Sequence, residues 1–113
     1  MSRPELLSPA GTLKNLRYAL AYGADAVYAG LPRYSLRVRN NDFRDADQVG
    51  EGIRLAHAAG RRFLLAVNII PHGAKLKTFV ADLEPVMEHG PDALIMADPG
   101  LIHLVRQRWP DTE

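Results

Sequence analysis

The stretch Gly23-Ala24-Asp25-Ala26-Val27-Tyr28-Ala29-Gly30 (GADAVYAG), with its echo from Gly90 to Ala97 (GPDALIMA), decides the architecture of this 113-residue chain. In both, a glycine closes an amphipathic segment and an almost continuous apolar run follows. Glycine accepts the left-handed conformation that ends a helix. A continuous apolar run suits a strand covered on both faces, as in a parallel sheet. A looser third copy, AGRRFLLAV, spans residues 59–67. One βα unit is therefore repeated along the chain.

Outward from these copies, the other elements fall into place. ELLSPA (5–10) reads as a short strand, and TLKNLRYALAYG (12–23) as a helix with Thr12 as N-cap and Leu13, Leu16 and Leu20 on one face. DADQVGEGIRLAHAAG (45–60) is a second helix, opened by a capping box of Asp45 and Gln48, with Gly50 and Gly52 each weakening it by roughly 1 kcal/mol. RFLLAVNII (62–70) is a third strand. KLKTFVADLEPVMEHG (75–90) is a third helix, with a stripe of Leu76, Phe79, Val80, Leu83, Val86 and Met87 and a kink expected at Pro85. DALIMA (92–97) is a fourth strand, and DPGLIHLVRQRW (98–109) a fourth helix with Asp98 as N-cap and Pro99 at its first position. The order βαβαβαβα implies right-handed crossovers and a parallel sheet. Two architectures fit: an open doubly wound sheet, or half of a (β/α)8 barrel. No Gly-x-Gly-x-x-Gly turn follows a strand, which removes the dinucleotide-binding version of the first. The repetition of one unit favours the second.

In parallel α/β folds ligands bind beyond the carboxyl ends of the strands. That rule selects Ser8–Gly11, Gly30–Arg44, Asn68–Lys75 and Asp98–Gly100. The second of these is basic: Arg33, Arg37, Arg39 and Arg44 follow an apolar strand. Arg37 and Arg39 have the fork geometry for phosphate or carboxylate, and Tyr34 offers a stacking face. Against this stands the ordinary role of loop arginines as solvated charge, and of Asn40 and Asn41 as turn formers. Asn68, at the end of a buried strand, needs a partner in the backbone or a ligand. His72 lies just past it, in reach of acid–base work. Asp98 is first a helix cap and second a candidate carboxylate. His57, His89 and His103 read as surface residues, and the histidines show no metal-ligand spacing.

Composition sets further limits. A net charge of +1 leaves any anion binding local. The absence of cysteine removes thiolate nucleophiles and cysteine-held clusters from these residues, and suits the cytoplasm. The sequence holds no Gly-x-Ser-x-Gly elbow and no His-Glu-x-x-His, and its serines are Ser2, Ser8 and Ser35. No apolar run reaches the roughly 20 residues that span a bilayer. The first residues carry no signal-peptide core.

PELLSPAGTLKNLRYALAYGADAVYAGLPRYSLRVRNNDF (4–43), NIIPHGAKLKTF (68–79) and GPDALIMADPGLI (90–102) together resemble the N-terminal part of the peptidase U32 family, and within it the tRNA-hydroxylation branch. The resemblance implies that residues 1–113 form one partial domain, the N-terminal (βα)4 half of a TIM-barrel-like (β/α)8 fold. It implies a role in prephenate-dependent hydroxylation of the tRNA wobble uridine to 5-hydroxyuridine, with collagenase-like peptidase activity as the family's other reading. tRNA and a prephenate-like dicarboxylate become the implied ligands of Tyr34, Ser35, Arg37 and Arg39, with Asn68, His72 and Asp98 beside them. A four-cysteine iron–sulfur cluster is implied for longer relatives, and this chain holds none of its ligands. An isolated half barrel exposes strand edges and an inner face, so the rest of the barrel or a second copy is an implied partner, and a non-catalytic association module is a third reading.

Overall fold

A computed structural model describes residues 4–30, 46–68 and 74–113. Four strands alternate with four helices: β1 (Leu7–Pro9), α1 (Leu13–Ala21), β2 (Ala26–Gly30), α2 (Ala46–Ala58), β3 (Arg62–Val67), α3 (Ala74–Met87), β4 (Ala93–Met96) and α4 (Pro99–Arg108). All neighbouring strands are parallel, in the order β1-β2-β3-β4. This order settles the choice left open by the sequence. A doubly wound sheet reverses direction beside its first strand. Here each right-handed crossover steps the same way, which lays successive helices side by side on one face. Helix α2 accordingly touches α1 on one flank and α3 on the other. The architecture is α/β, with the sequential strand order of a barrel wall.

Register fixes which side chains meet those helices. Val27 lies beside Phe63, Ala29 beside Leu65, Leu65 beside Leu94, and Val67 beside Met96. These residues pack into one core with side chains spaced at helical period: Val49, Ile53 and Ala56 from α2, and Phe79, Leu83 and Val86 from α3. Leu16 from α1 and Leu101 and Val105 from α4 complete it. Phe63 and Phe79 are fully buried, each worth roughly 1.5–3 kcal/mol of transfer free energy. The opposite face carries Ala26, Tyr28, Leu64, Ala66, Ala93 and Ile95, the side that faces inward in a closed barrel.

The elements are shorter than their apolar runs. Helices α1 and α3 stop at Ala21 and Met87, ahead of Gly23 and Gly90, whose φ values of 97° and 75° turn the chain toward the next strand. Helix α3 passes through Pro85 and ends two residues later, where the carbonyl that Pro85 leaves unpaired falls in the final turns. Thr12 and Asp98 are N-caps as expected: Thr12 Oγ1 accepts from Asn15 N–H at 2.9 Å, and Asp98 Oδ2 accepts from Leu101 N–H at 2.9 Å. The expected capping residue Asp45 lies outside the described residues. Gly50 has a packing reason: a Cβ there would come within 2.5 Å of the His89 ring, so the glycine admits His89 against α2.

Candidate functional site

Because the strands are parallel, the C-terminal ends at Pro9, Gly30, Val67 and Met96 share one rim. Ala10 N–H donates to Tyr28 O at 2.8 Å, extending the β1–β2 pairing to that rim. Ala10, Gly11 and Gly30 are buried there. Asn68 follows β3 directly; it is half-buried and engaged within the protein. Asp98 stands two residues past β4, on the neighbouring strand, so the two share one sector of the rim.

Asp98 is committed to its helix. Its Oδ2 receives Leu101 N–H and its carbonyl receives Ile102 N–H at 3.0 Å. A Cβ on Gly100 would approach that Oδ2 to 3.2 Å, so the glycine leaves room for the cap. Oδ1 has no hydrogen bond among the described residues. The N-terminal ends of α1 and α4 open at the same rim, a polarity that favours anions. Tyr34, Ser35, Arg37, Arg39 and His72 lie outside the described residues. The chain enters residues 31–45 from Gly30 and residues 69–73 from Asn68, both at this end. Among the described residues, no group of three or more His, Asp or Glu side chains is arranged to hold a metal. Ser8 Oγ is hydrogen-bonded to the adjacent Pro9 carbonyl at 3.4 Å, not to a base. Among the described residues, no helix is long and apolar enough to cross a membrane.

The opposite end of the sheet holds what the sequence reading missed. Asp25 N–H donates to Leu6 O at 2.9 Å, while Asp25 Oδ2 accepts Leu6 N–H at 2.8 Å. Asp92 repeats the arrangement: its N–H donates to Phe63 O at 2.8 Å, and its Oδ2 accepts Phe63 N–H at 2.7 Å. Each aspartate thus ties the base of its own strand to the base of the strand before. The signal lay in the two echoing segments, where Asp stands two residues after Gly in both. The third copy has Arg62 at that position; its guanidinium reaches Glu5 at 3.3 Å and Glu113 at 2.8 Å. The hydrogen bond to Glu5 raises the Arg62 pKa above its ordinary value. Arg61 pairs with Asp25 at 3.3 Å, and His57 with Asp92 at 2.8 Å. These groups fasten the strand bases, the end of such folds that serves stability.

A sequential parallel sheet with helices packed on one side defines a barrel-type α/β protein, a class in which ligands bind beyond the strand carboxyl ends. The chain belongs to peptidase family U32, whose model matches residues 11–113. It is 68% identical over 111 residues to tRNA hydroxylation protein P of Escherichia coli K12, covering 98% of this chain and 24% of that protein. It is 34% identical over 102 residues to the 23S rRNA 5-hydroxycytidine C2501 synthase of the same organism, covering 90% of this chain and 15% of that one. The chain therefore spans about a quarter or less of these relatives. The solved structure of the U32 peptidase Mk0906 superposes with a TM-score of 0.75 at 11% identity, covering all of this chain and 47% of that one. That likeness establishes the fold.

Proposed function

We propose that the full-length protein supports prephenate-dependent hydroxylation of the tRNA wobble uridine to 5-hydroxyuridine, in the cytoplasm. Residues 1–113 form the N-terminal half of its barrel and part of its substrate mouth. The observation that carries this reading is the 68% identity, over 98% of the chain, to tRNA hydroxylation protein P. Within it, Arg37 and Arg39 fork onto phosphate or the carboxylates of a prephenate-like dicarboxylate, and Tyr34 stacks on a base, with Ser35 beside them. Asn68, His72 and Asp98 complete the polar lining. The chain has no cysteine, so these residues do not fit a four-thiolate iron–sulfur cluster.

The test is Arg37→Ala with Arg39→Ala in the full-length protein, reading 5-hydroxyuridine in digested tRNA by mass spectrometry. Charge-assisted contacts are worth about 1.5–3 kcal/mol each, so a fall of at least about 10-fold is expected. An unchanged level removes the loop from substrate binding. The family description keeps a second reading, peptidase activity, in view. Gelatin cleavage that survives purification and is lost in His72→Ala or Asp98→Ala would establish peptidase activity in place of the hydroxylation role.

A further inference from the structure

Among the described residues, most arginines are already committed within the chain. Arg54 is bonded to Glu51, Arg61 to Asp25, Arg62 to Glu5 and Glu113, and Arg108 to Glu84. Arg106 donates to the carbonyls of Pro110 and Thr112 at 3.1 and 2.6 Å. Lys14 and Arg17 on α1 differ: both are exposed, and neither makes a hydrogen bond or ion pair through its side chain among the described residues. The acid near Arg17 is Glu51, whose pKa is lowered first by its hydrogen bond to Arg54 and then by the charges of Arg54 and Arg17. Glu51 is thus engaged elsewhere. Helix α1 itself carries no acidic residue. On a chain of net charge +1, this leaves a local concentration of unneutralised positive charge.

Lys14, Arg17, Tyr18 and Ala21 recur at helical spacing and share one face of α1, opposite the fully buried Leu16. Together they line a shallow hollow of about 360 Å³. This face points away from the sheet, so the outer ring of helices in a barrel leaves it in solvent. Leu6, Leu7 and Tyr22 lie toward the β1 flank and are not part of the stripe. Tyr18 is 55% exposed, and its ring stacks on Tyr22 with centres 6.5 Å apart, which favours one orientation. The stripe begins two residues past the Thr12 cap, at the carboxyl end of the strands, and runs roughly 10 Å from it. Two uncommitted cations bordering an exposed aromatic ring suit a nucleic-acid strand: the cations take phosphates and the ring takes a base or ribose. A protein partner fits less well, because the centre of a protein interface is depleted of charge and here the charges border the single ring.

We propose that the outer face of α1 is an auxiliary RNA-contact surface, on which Lys14 and Arg17 bind phosphates of the tRNA and Tyr18 packs on an exposed base or ribose. The inference rests on the reading of the protein as one that acts on tRNA, and adds a contact outside the mouth. The experiment measures binding of unmodified tRNA transcript to the full-length protein by fluorescence anisotropy, between 50 and 200 mM salt. Lys14→Ala with Arg17→Ala is expected to weaken binding at least about 5-fold and to flatten the slope of log affinity against log salt by about 1–2. Tyr18→Ala is expected to weaken binding by about 5-fold or more with the slope kept, because stacking releases no counterions. Arg54→Ala, on the neighbouring helix but bonded to Glu51, is expected to change affinity less than about 2-fold. An Arg54→Ala loss as large as that of the pair overturns the proposal in favour of a general charge effect. Unchanged tRNA affinity in the pair variant, with wild-type protein that binds, overturns this inference alone. If that variant also changes oligomeric state by light scattering, the face is a protein interface instead. Wild-type protein that does not bind tRNA overturns both this inference and the reading beneath it.

Discussion

Replacing Asp92 tests whether the strand bases are held by the aspartate carboxylates. In Asp92→Ala, Phe63 N–H loses its acceptor at 2.7 Å in a partly buried position. A hydrogen bond to a charged group contributes about 1.5–3 kcal/mol. The lost His57 partner adds little, because the two side chains are 42% and 30% exposed and such pairs contribute about 0–1 kcal/mol. The expected cost is therefore about 2–3 kcal/mol. Asp92→Asn keeps an oxygen for Phe63 N–H and gives up the charge, so it should cost about 1 kcal/mol. With a urea dependence of about 2 kcal/mol/M, the alanine midpoint falls by about 1–1.5 M and the asparagine midpoint by about 0.5 M. Urea titration followed by far-UV circular dichroism measures both, with His57→Ala as the control, expected to shift by less than about 0.5 M. Two results would refute the reasoning: an unmoved midpoint for Asp92→Ala, or a His57→Ala shift as large as that of Asp92→Ala. The second would place the energy in the surface pair rather than in the strand-to-strand link.

Two further outcomes follow from the same structure. Gly50→Ala gains about 1 kcal/mol of helix propensity but meets the His89 ring, so the single change should be neutral or destabilising. In a His89→Ala background the same change should stabilise by about 1 kcal/mol, and equal effects in both backgrounds by urea titration would remove the contact from the account. Asp98→Ala should cost about 0.5–2 kcal/mol as a lost N-cap, while Asp98→Ser should recover most of it. If both lower stability equally, the capping role is wrong.

Much of the fold was legible because its signals are local. The period of the apolar residues marked each helix and strand, and Thr12 and Asp98 marked helix starts through bonds that close within a few residues. Element ends were less legible: α1 stops at Ala21 and β3 at Val67, although apolar residues continue beyond both. Where backbone hydrogen bonding ends depends on the neighbouring strand, not on hydrophobicity. Of the candidate site, Asn68 and Asp98 share a rim sector, a placement that follows from parallel strands alone.

The sequence by itself determined that four βα units follow one another, that their strands run parallel, and that their loops alternate between the carboxyl and amino ends of the strands. These properties follow from side-chain period and from the handedness of the crossover, which a chain carries wherever it folds. Only the tertiary structure decided that the strand order is sequential, and that Asp25 and Asp92 bind the strands preceding their own. It also showed that Gly50 makes room for His89 and that β1 and β4 are the edge strands among the described residues. Each of these joins residues distant in sequence, Asp92 with Phe63 or His89 with Gly50, whose approach is set by packing and register rather than by the residues between them.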